Sequence, residues 1–464
     1  MAKNATKELT KGSPFKLVFQ FSVPLIFGFL FQQFYSLVDT VIVGRVLGVN
    51  ALAAVGVTGS VCFMIMGFCM GVCGGFAIPV AQRFGAEDYT GMRKMVANGM
   101  WLCIAFSVVM TLISVCLCRQ ILIWMKTPSD IIDDANAYLF VVFLSIPVIY
   151  LYNMLSGIIR SLGDSRTPLI FLIISSVLNI ILDYVLMVPI KGGVAGASWA
   201  TLISQAVSGV LCLFYMKRKF TILKMTREEL RPDTHCMGIL CGMGVPMGLQ
   251  YSITAIGSVI LQAAVNDLGS ASVAAMTAGN KISMFFSCPF DAMGTTMATF
   301  GGQNVGAKKL DRVGQGLKAG NIIGGVYSVI AFIILYLLGD KLTLFFIKKG
   351  EEHIVGEVMM VLMANAAFYL TLSVLNNTRF LIQGMGFSKF AILAGVFEMI
   401  ARSVVGFIFV PKYGFLAACL AGPIAWIMAD AFLVPAYFSV KARLQRLFEG
   451  DLSTMELENI CLKQ

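Results

Sequence analysis

Charge is what this chain has little of. Only 13% of its 464 residues are Asp, Glu, Lys or Arg, about half the share found in a soluble domain. Hydrophobic residues make up 58%, and the mean hydropathy is +0.83. Such a chain cannot clothe a globular surface in polar groups, which excludes a soluble protein. Histidine is scarce too. His235 and His353 are the only two, with no HExxH or paired-His spacing, so a histidine metal centre is excluded. No Gly-Lys dipeptide occurs, so there is no Walker A loop for ATP. The net charge of +10 comes from Lys and Arg scattered through short loops rather than grouped on a face. That pattern speaks for membrane topology and against a nucleic-acid partner. The twelve Cys lie mostly inside apolar runs, where they act as small hydrophobes, and no disulfide framework is expected. Cys116 and Cys118 make a CxC without an accompanying His. The apolar stretch that follows Lys3, Lys7 and Lys11 is too long for a signal peptide and lacks a small-residue cleavage site, so it reads as a first span.

What the chain has in abundance is apolar runs of bilayer length, about 20 residues each. Twelve are expected, over 17–47, 51–81, 95–118, 137–159, 168–190, 194–216, 238–266, 272–302, 317–338, 354–378, 390–410 and 415–440. Pro24 in the first and Pro246 in the seventh each remove one helix hydrogen bond and mark kink candidates. With the N-terminus on the cytoplasmic side, 25 of the 35 Lys and Arg fall on that side and 8 on the other. The bias predicts that both termini are cytoplasmic, which requires an even number of spans. The halves also repeat. SVPLIFG at 22–28 answers to GVPMGLQ at 244–250, GVNALAAVG at 48–56 to GSASVAAMT at 269–277, AQRFGAEDY at 81–89 to GQNVGAKKL at 302–310, and GIIRSLGDSR at 157–166 to FLIQGMGFSK at 380–389. Six spans repeated as six make the halves parallel repeats about an axis along the membrane normal. The expected fold is therefore an all-α polytopic membrane protein, with twelve transmembrane helices as two six-helix bundles around a central cleft. Residues 1–216 form the first bundle, 217–236 a cytoplasmic linker, 237–445 the second bundle and 446–464 a cytoplasmic tail. Small-xxx-small runs such as Gly67/Gly71/Gly75 predict close helix packing.

Ionisable residues inside such spans are expensive and mark function by default. The first half carries Asp39 in its first span and Asp183 in its fifth, and no cation within its spans. Asn179 lies four residues before Asp183, on the same helix face. The alternative is an Asp183 merely hydrated near the interface. The second half carries Lys281 and Asp291 in the eighth span, Glu398 and Arg402 in the eleventh, and Asp430 near an end of the twelfth, a position open to hydration. Glu398 and Arg402, spaced i,i+4, read as a structural pair; Lys281 and Asp291 are too far apart on one helix to pair. Asp39 and Asp183 are left uncompensated. Such groups can carry a proton, hold Na⁺ or attract an organic cation, with Asn153, Asn179 and Thr201 as neutral oxygen ligands. Met and Phe, 27 and 35 in number, suit an adaptable pocket, although most will pack or face lipid.

These residues resemble the multidrug and toxic compound extrusion (MATE) family. The resemblance covers nearly the whole chain: six plus six spans, LVDTVIVGRVLG at 37–48, the QxxGA turn at 82–86, RSLGDSRTP at 160–168 and LNIILD at 178–183. An Asp in the first span with Asn-x-x-x-Asp in the fifth is similar to the DinF-like branch, including MepA-type exporters. That resemblance implies a polar cation or proton site in the N-terminal bundle, at Asp39, Asn153, Asn179, Asp183 and Thr201, and a first span that bends near Pro24. It implies a monomeric exporter of amphipathic or cationic small molecules in the bacterial inner membrane. The expected drive is H⁺ or Na⁺, with no other cofactor and no enzymatic chemistry. The NorM-like branch has a Glu in the seventh span, and none stands between Met237 and Asn266 here. Two other readings stay open. A lipid-linked sugar flippase of the same superfamily would need cations for a pyrophosphate, with Lys281 and Arg402 as candidates. An intramembrane aspartyl protease would use Asp39 and Asp183 as its dyad, but the Gly-Asp pairs of this chain lie in loops or the tail.

Overall fold

The computed structural model describes residues 6–125, 127–346 and 354–451. Lys126, Lys348, Lys349, His353 and the tail with Cys461 lie outside the described residues. Long continuous apolar stretches can satisfy their backbone groups in lipid only by coiling into helices, and the described residues form helices without strands. The first half contains α1 (Pro14–Val46), α2 (Val49–Gly85), α3 (Tyr89–Trp124), α4 (Ile132–Leu144), α5 (Ile146–Ser161), α6 (Arg166–Met187) and α7 (Gly193–Lys219). The second contains α8 (Thr234–Asn266), α9 (Ser270–Gly306), α10 (Leu310–Phe346), α11 (Val355–Ala367), α12 (Tyr369–Gly384), α13 (Lys389–Val404), α14 (Val410–Tyr413) and α15 (Phe415–Arg446). The repeat is visible in the elements themselves. α2 and α9, α4 and α11, and α5 and α12 match in length pair by pair.

Among the described residues nine helices are long and apolar enough to cross a membrane, and two bent pairs, α4–α5 at 42° and α11–α12 at 51°, bring the number to eleven. The twelfth is α9, whose 37 residues include Lys281 and Asp291. The twelve-helix, six-plus-six layout is therefore present. The sharp bends fall at Ser145 and Phe368, where the sequence showed only continuous spans. Helices α1 and α8, in contrast, run unbroken through Pro24 and Pro246.

Two compact units emerge. One comprises Met1–Glu8 and Phe27–Gly248, the other Leu9–Ile26 and Leu249–Gln464. Each of α1 and α8 thus starts in one unit and ends in the other, changing over two residues after its proline. In the first unit the opening half of α8 lies directly on α2. A Cβ added to Gly75 would come within 2.4 Å of Gly244 Cα, and one on Gly71 within 2.6 Å of the Met247 carbonyl. Backbone, not a movable side chain, fills that space, which is how small residues let helices approach in a membrane. The linker is fastened to the same unit. Arg93 Nε donates to Glu229 Oε1 at 2.8 Å, Trp101 Nε1 to the Leu230 carbonyl at 3.0 Å, and the Asp233 N–H to Asn98 Oδ1 at 2.8 Å. The hydrogen bond from Arg93, joined by the Thr226 N–H, holds the Glu229 carboxyl down at about 2.

The glycine contact makes a direct prediction. Gly75→Ala is expected to destabilise the folded protein by about 1–3 kcal/mol, the cost of overpacking against an unyielding neighbour. Gly74→Ala should be neutral, because its Cβ would meet only the flexible Met247 Cε at 3.5 Å. Melting temperatures of the two variants in detergent decide; equal melting would remove the contact from the account.

Candidate functional site

In the first unit α1 and α6 bring Asp39 and Asp183 together. The two carboxyls come within hydrogen-bonding reach of each other. Asp183 is fully buried, and neither of its oxygens, nor Asp39 Oδ1, receives a hydrogen bond from an N–H or O–H donor. The one charged group facing each carboxyl is the other carboxyl. That burial speaks against an Asp183 hydrated at an interface. One turn beyond both acids, Val43 and Met187 are buried with Ala51, Val194 and Ala197 in an apolar cluster, so the pair sits within the bundle and not at its rim.

Polar side chains frame the pair. Tyr35, one turn before Asp39, lies near both acids and near Gln205; Tyr138 lies near both acids as well. Asn179 Nδ2 donates to Thr201 Oγ1 at 3.3 Å, and Thr201 donates in turn to the Ala197 carbonyl at 3.2 Å. The bond fixes the amide so that Asn179 Oδ1, buried and without a donor, remains available as a ligand. Asn153 behaves differently. Its Nδ2 is turned back to the Ile149 carbonyl at 2.9 Å. Two carboxyls facing each other without a donor can coexist only by sharing a proton or a cation. Among the described residues no cluster of three or more His, Cys, Asp or Glu exists to hold a transition metal.

In the second unit Glu398 is compensated by cations of the chain. Glu398, 3% exposed, accepts from Arg402 Nη2 at 3.3 Å and, more closely, from Arg379 Nη2. Arg402 Nη1 also reaches the Thr254 carbonyl at 3.4 Å. The sequence reading had placed Arg379 in a loop; α12 continues to Gly384 and buries it. Polar residues at helical spacing, Asn376, Arg379 and Gln383, carried that signal past the end of the apolar run. A similar correction applies to Arg160, which lies on α5 and not in a loop; the first unit therefore does contain a helical cation, though not beside its acids. Asp430 is not simply hydrated: its Oδ1 is buried without a donor, near Arg379 and Glu398. Asp291 is exposed and accepts from Asn376 Nδ2 at 3.0 Å, while Lys281 on the same helix is exposed without reaching it.

The MatE family model matches residues 24–185 and again 246–408, one match in each half. The chain belongs to the MatE family. It is a membrane transporter and not an enzyme. Among curated relatives, the probable multidrug resistance protein YoeA of Bacillus subtilis (strain 168) is 28% identical over 367 residues, 77% of this chain and 79% of that protein. The multidrug export protein MepA of Staphylococcus aureus (strain MRSA252) is 23% identical over 393 residues, 83% of this chain and 86% of that protein. Among solved structures, an outward-facing multidrug resistance MATE family transporter of the MOP superfamily is 22% identical, with a TM-score of 0.88 over 94% of this chain and 98% of that one. A crystal structure of MATE in the bent conformation matches with a TM-score of 0.85 over 95% of this chain and 98% of that one. These MATE structures have the same fold.

The partnering of Glu398 predicts a stability phenotype. Glu398→Gln leaves two buried guanidiniums without their carboxylate and is expected to cost about 3–5 kcal/mol. The check is a melting curve in detergent beside Asp291→Asn, whose exposed carboxylate should lose little. Equal melting of Glu398→Gln and wild type would mean that the arginines find other partners.

Proposed function

We propose that this MatE transporter is a secondary active exporter. It antiports amphipathic, often cationic, organic compounds against inward H⁺ or Na⁺ by alternating access. The observation that carries the reading is the pairing of the buried Asp183 with the half-buried Asp39, in which both Asp183 oxygens and Asp39 Oδ1 lack a donor and no cation stands beside them. A carboxyl pair of that kind binds its ion from outside the protein, and occupancy can then be tied to conformation. Asn179 and Thr201 supply neutral oxygens for Na⁺ or steady the shared proton, and Asn153 joins them if its amide leaves Ile149. Pro24 is the hinge, because it loosens the helix that carries Asp39 and lies where α1 changes over between units. The relatives named for multidrug resistance and export support the substrate class. A flippase reading loses one of its two candidate cations, because Arg402 is engaged by Glu398, while Lys281 stays exposed. We infer a monomer in the bacterial inner membrane, with the bundles, linker and tail bounded at residues 216, 236 and 445.

Gradient-driven drug transport in proteoliposomes, with pH and Na⁺ gradients imposed separately, tests the coupling site. Asp39→Asn and Asp183→Asn are expected to abolish accumulation against a gradient, since Asn keeps the volume but cannot take up a proton or balance Na⁺. Both should melt no lower than wild type, because a lone buried charge has been removed. In the same assay Pro24→Ala should slow turnover without loss of insertion. Wild-type export by Asp183→Asn would move the site to the second unit, to Asp291 or Asp430.

The orientation rests on the division of Lys and Arg, 25 to 8 in the sequence and 23 to 8 once Arg160 and Arg379 are counted with their helices. Cys236 is buried and is a poor probe of it, whereas Arg227 in the linker is exposed. Arg227→Cys should resist an impermeant thiol reagent on intact cells and react after permeabilisation. Labelling of intact cells at that position would reverse the topology.

A further inference from the structure

Helix α9 carries polar side chains where a membrane span is ordinarily apolar. Thr277, Asn280, Lys281, Ser287, Asp291 and Thr295 recur at helical spacing along one face. The first three and Asp291 are exposed, and Ser287 and Thr295 are half-buried. Asp291 lies fifteen residues before the helix ends at Gly306, about 22 Å at the helical rise, and so deep in the span. A carboxylate and an ammonium on one side of a span cannot be turned to lipid, so this face lines a space that water reaches. Alongside it α12 packs in close contact. A Cβ added to Gly384 would come within 2.4 Å of the Ala298 carbonyl, and one on Gly294 within 2.5 Å of Phe380 Cδ2.

Asp291 is held in place without being neutralised. Asn376 Nδ2 on α12 donates to its Oδ1 at 3.0 Å. Among the described residues no donor reaches Oδ2, and no Lys or Arg pairs with either oxygen. Arg379, on the same helix as Asn376, is engaged by Glu398. The repeat supplies an internal comparison. The segments at 48–56 and 81–89 answer to those at 269–277 and 302–310, an offset of 221 residues. At that offset α2 has Ser60, Met66 and Met70 where α9 has Lys281, Ser287 and Asp291, so the helix does not need these charges to take its place in a bundle. Helices α5 and α12 are offset by 223 residues, which makes Asn153 the counterpart of Asn376. Asn153 Nδ2 turns back to the Ile149 carbonyl of its own helix, whereas Asn376 reaches across to α9. The amide leaves its helix where an acid stands opposite. Two turns before Asp291 the exposed Met284 adds an apolar, polarisable surface.

We propose that Asp291 seats the cationic group of the transported compound, with Oδ2 turned to the ligand and Asn376 as the positioning residue that holds Oδ1. The apolar body of an amphipathic cation then lies along Met284. Lys281, ten residues or about 15 Å away along α9, repels a cation from the other end and so fixes the orientation. The inference rests on the exporter reading and deepens its substrate class, while Asp39 and Asp183 keep the coupling ion. Binding to the full-length protein in detergent is measured by equilibrium dialysis at mildly alkaline pH, with protein-free micelles as background. The probes are tetraphenylphosphonium and tetraphenylborate, ions of one shape and opposite charge. Wild type should prefer the phosphonium. Asp291→Asn should weaken phosphonium binding on the order of tenfold, the effect of one unit charge about 6 Å from another at an effective dielectric of about 40. It should not weaken borate binding. Asp291→Glu should keep the preference. Asn376→Leu should lose part of it, by a few-fold, with borate again unaffected, whereas a merely structural role would move both ions alike. That variant carries the test should Asp291→Asn fail to fold. A wild type indifferent to the sign of the charge would overturn the assignment, as would a preference that survives Asp291→Asn. A preference lost in Asp39→Asn or Asp183→Asn instead would put the cation at the coupling pair. If Asp291→Asn binds as wild type does and wild type still accumulates drug against a gradient, the seat at Asp291 alone fails. If wild type accumulates no drug under either gradient, the exporter reading itself is wrong.

Discussion

A carboxylate inside a bilayer persists only where something neutralises it, and the rest of this molecule is arranged around two different answers to that constraint. In the first unit Asp39 and Asp183 face one another, both Asp183 oxygens and Asp39 Oδ1 lack a protein donor, and no cation of the chain stands beside them. In the second unit Glu398 has its cations attached to the chain, Arg379 from α12 and Arg402 from α13. Their presence makes the site permanently occupied and independent of any gradient. The surroundings follow suit. Tyrosines, an amide and a threonine frame the empty pair, all neutral and able to adjust, whereas the arginine cluster is cross-linked by charge-assisted bonds that hold three helices in place.

The two answers occupy matching positions. At the offset of 223 residues seen at the end of the family matches, Arg402 stands where the first unit has Asn179, Arg379 where it has Ser156, and Gln383 where it has Arg160. The helix that carries Ser156 and Arg160 matches in length the one that carries Arg379 and Gln383, α5 and α12 having 16 residues each. The backbone scaffold therefore does not dictate the polarity of its interior. A helix position that faces the interior of a bundle accepts an acid, a base or an amide, provided that the neighbouring helix supplies the complement. Coupling can be confined to one unit while the architecture of both is kept.

Much of this was legible in the chain. Scarce charge and bilayer-length runs required a helical membrane protein, and the repeat required two similar halves. The lone acids at 39 and 183 were visible because each interrupts an apolar run in which nothing nearby compensates it. Arg160 and Arg379 were misplaced for the opposite reason. Each lies just past the apolar run, where hydropathy alone ends the span, while the helix runs on, to Ser161 in α5 and to Gly384 in α12. The bends at Ser145 and Phe368 were missed because neither interrupts the run of apolar residues, and a break in direction leaves no trace in hydropathy.

Composition and patterning by themselves determined that the chain crosses a membrane as helices, that its halves repeat, and which acids lack a partner within their own span. These properties depend on the period and length of apolar runs, quantities local to a stretch of sequence. Only the tertiary structure decided that Asp39 and Asp183 meet, that Arg379 and not only Arg402 closes on Glu398, and that α1 and α8 each change over between units near their prolines. Those outcomes depend on which helix packs beside which, and on close approaches such as the glycine contact between α2 and α8, where backbone already fills the space a single methyl group would need.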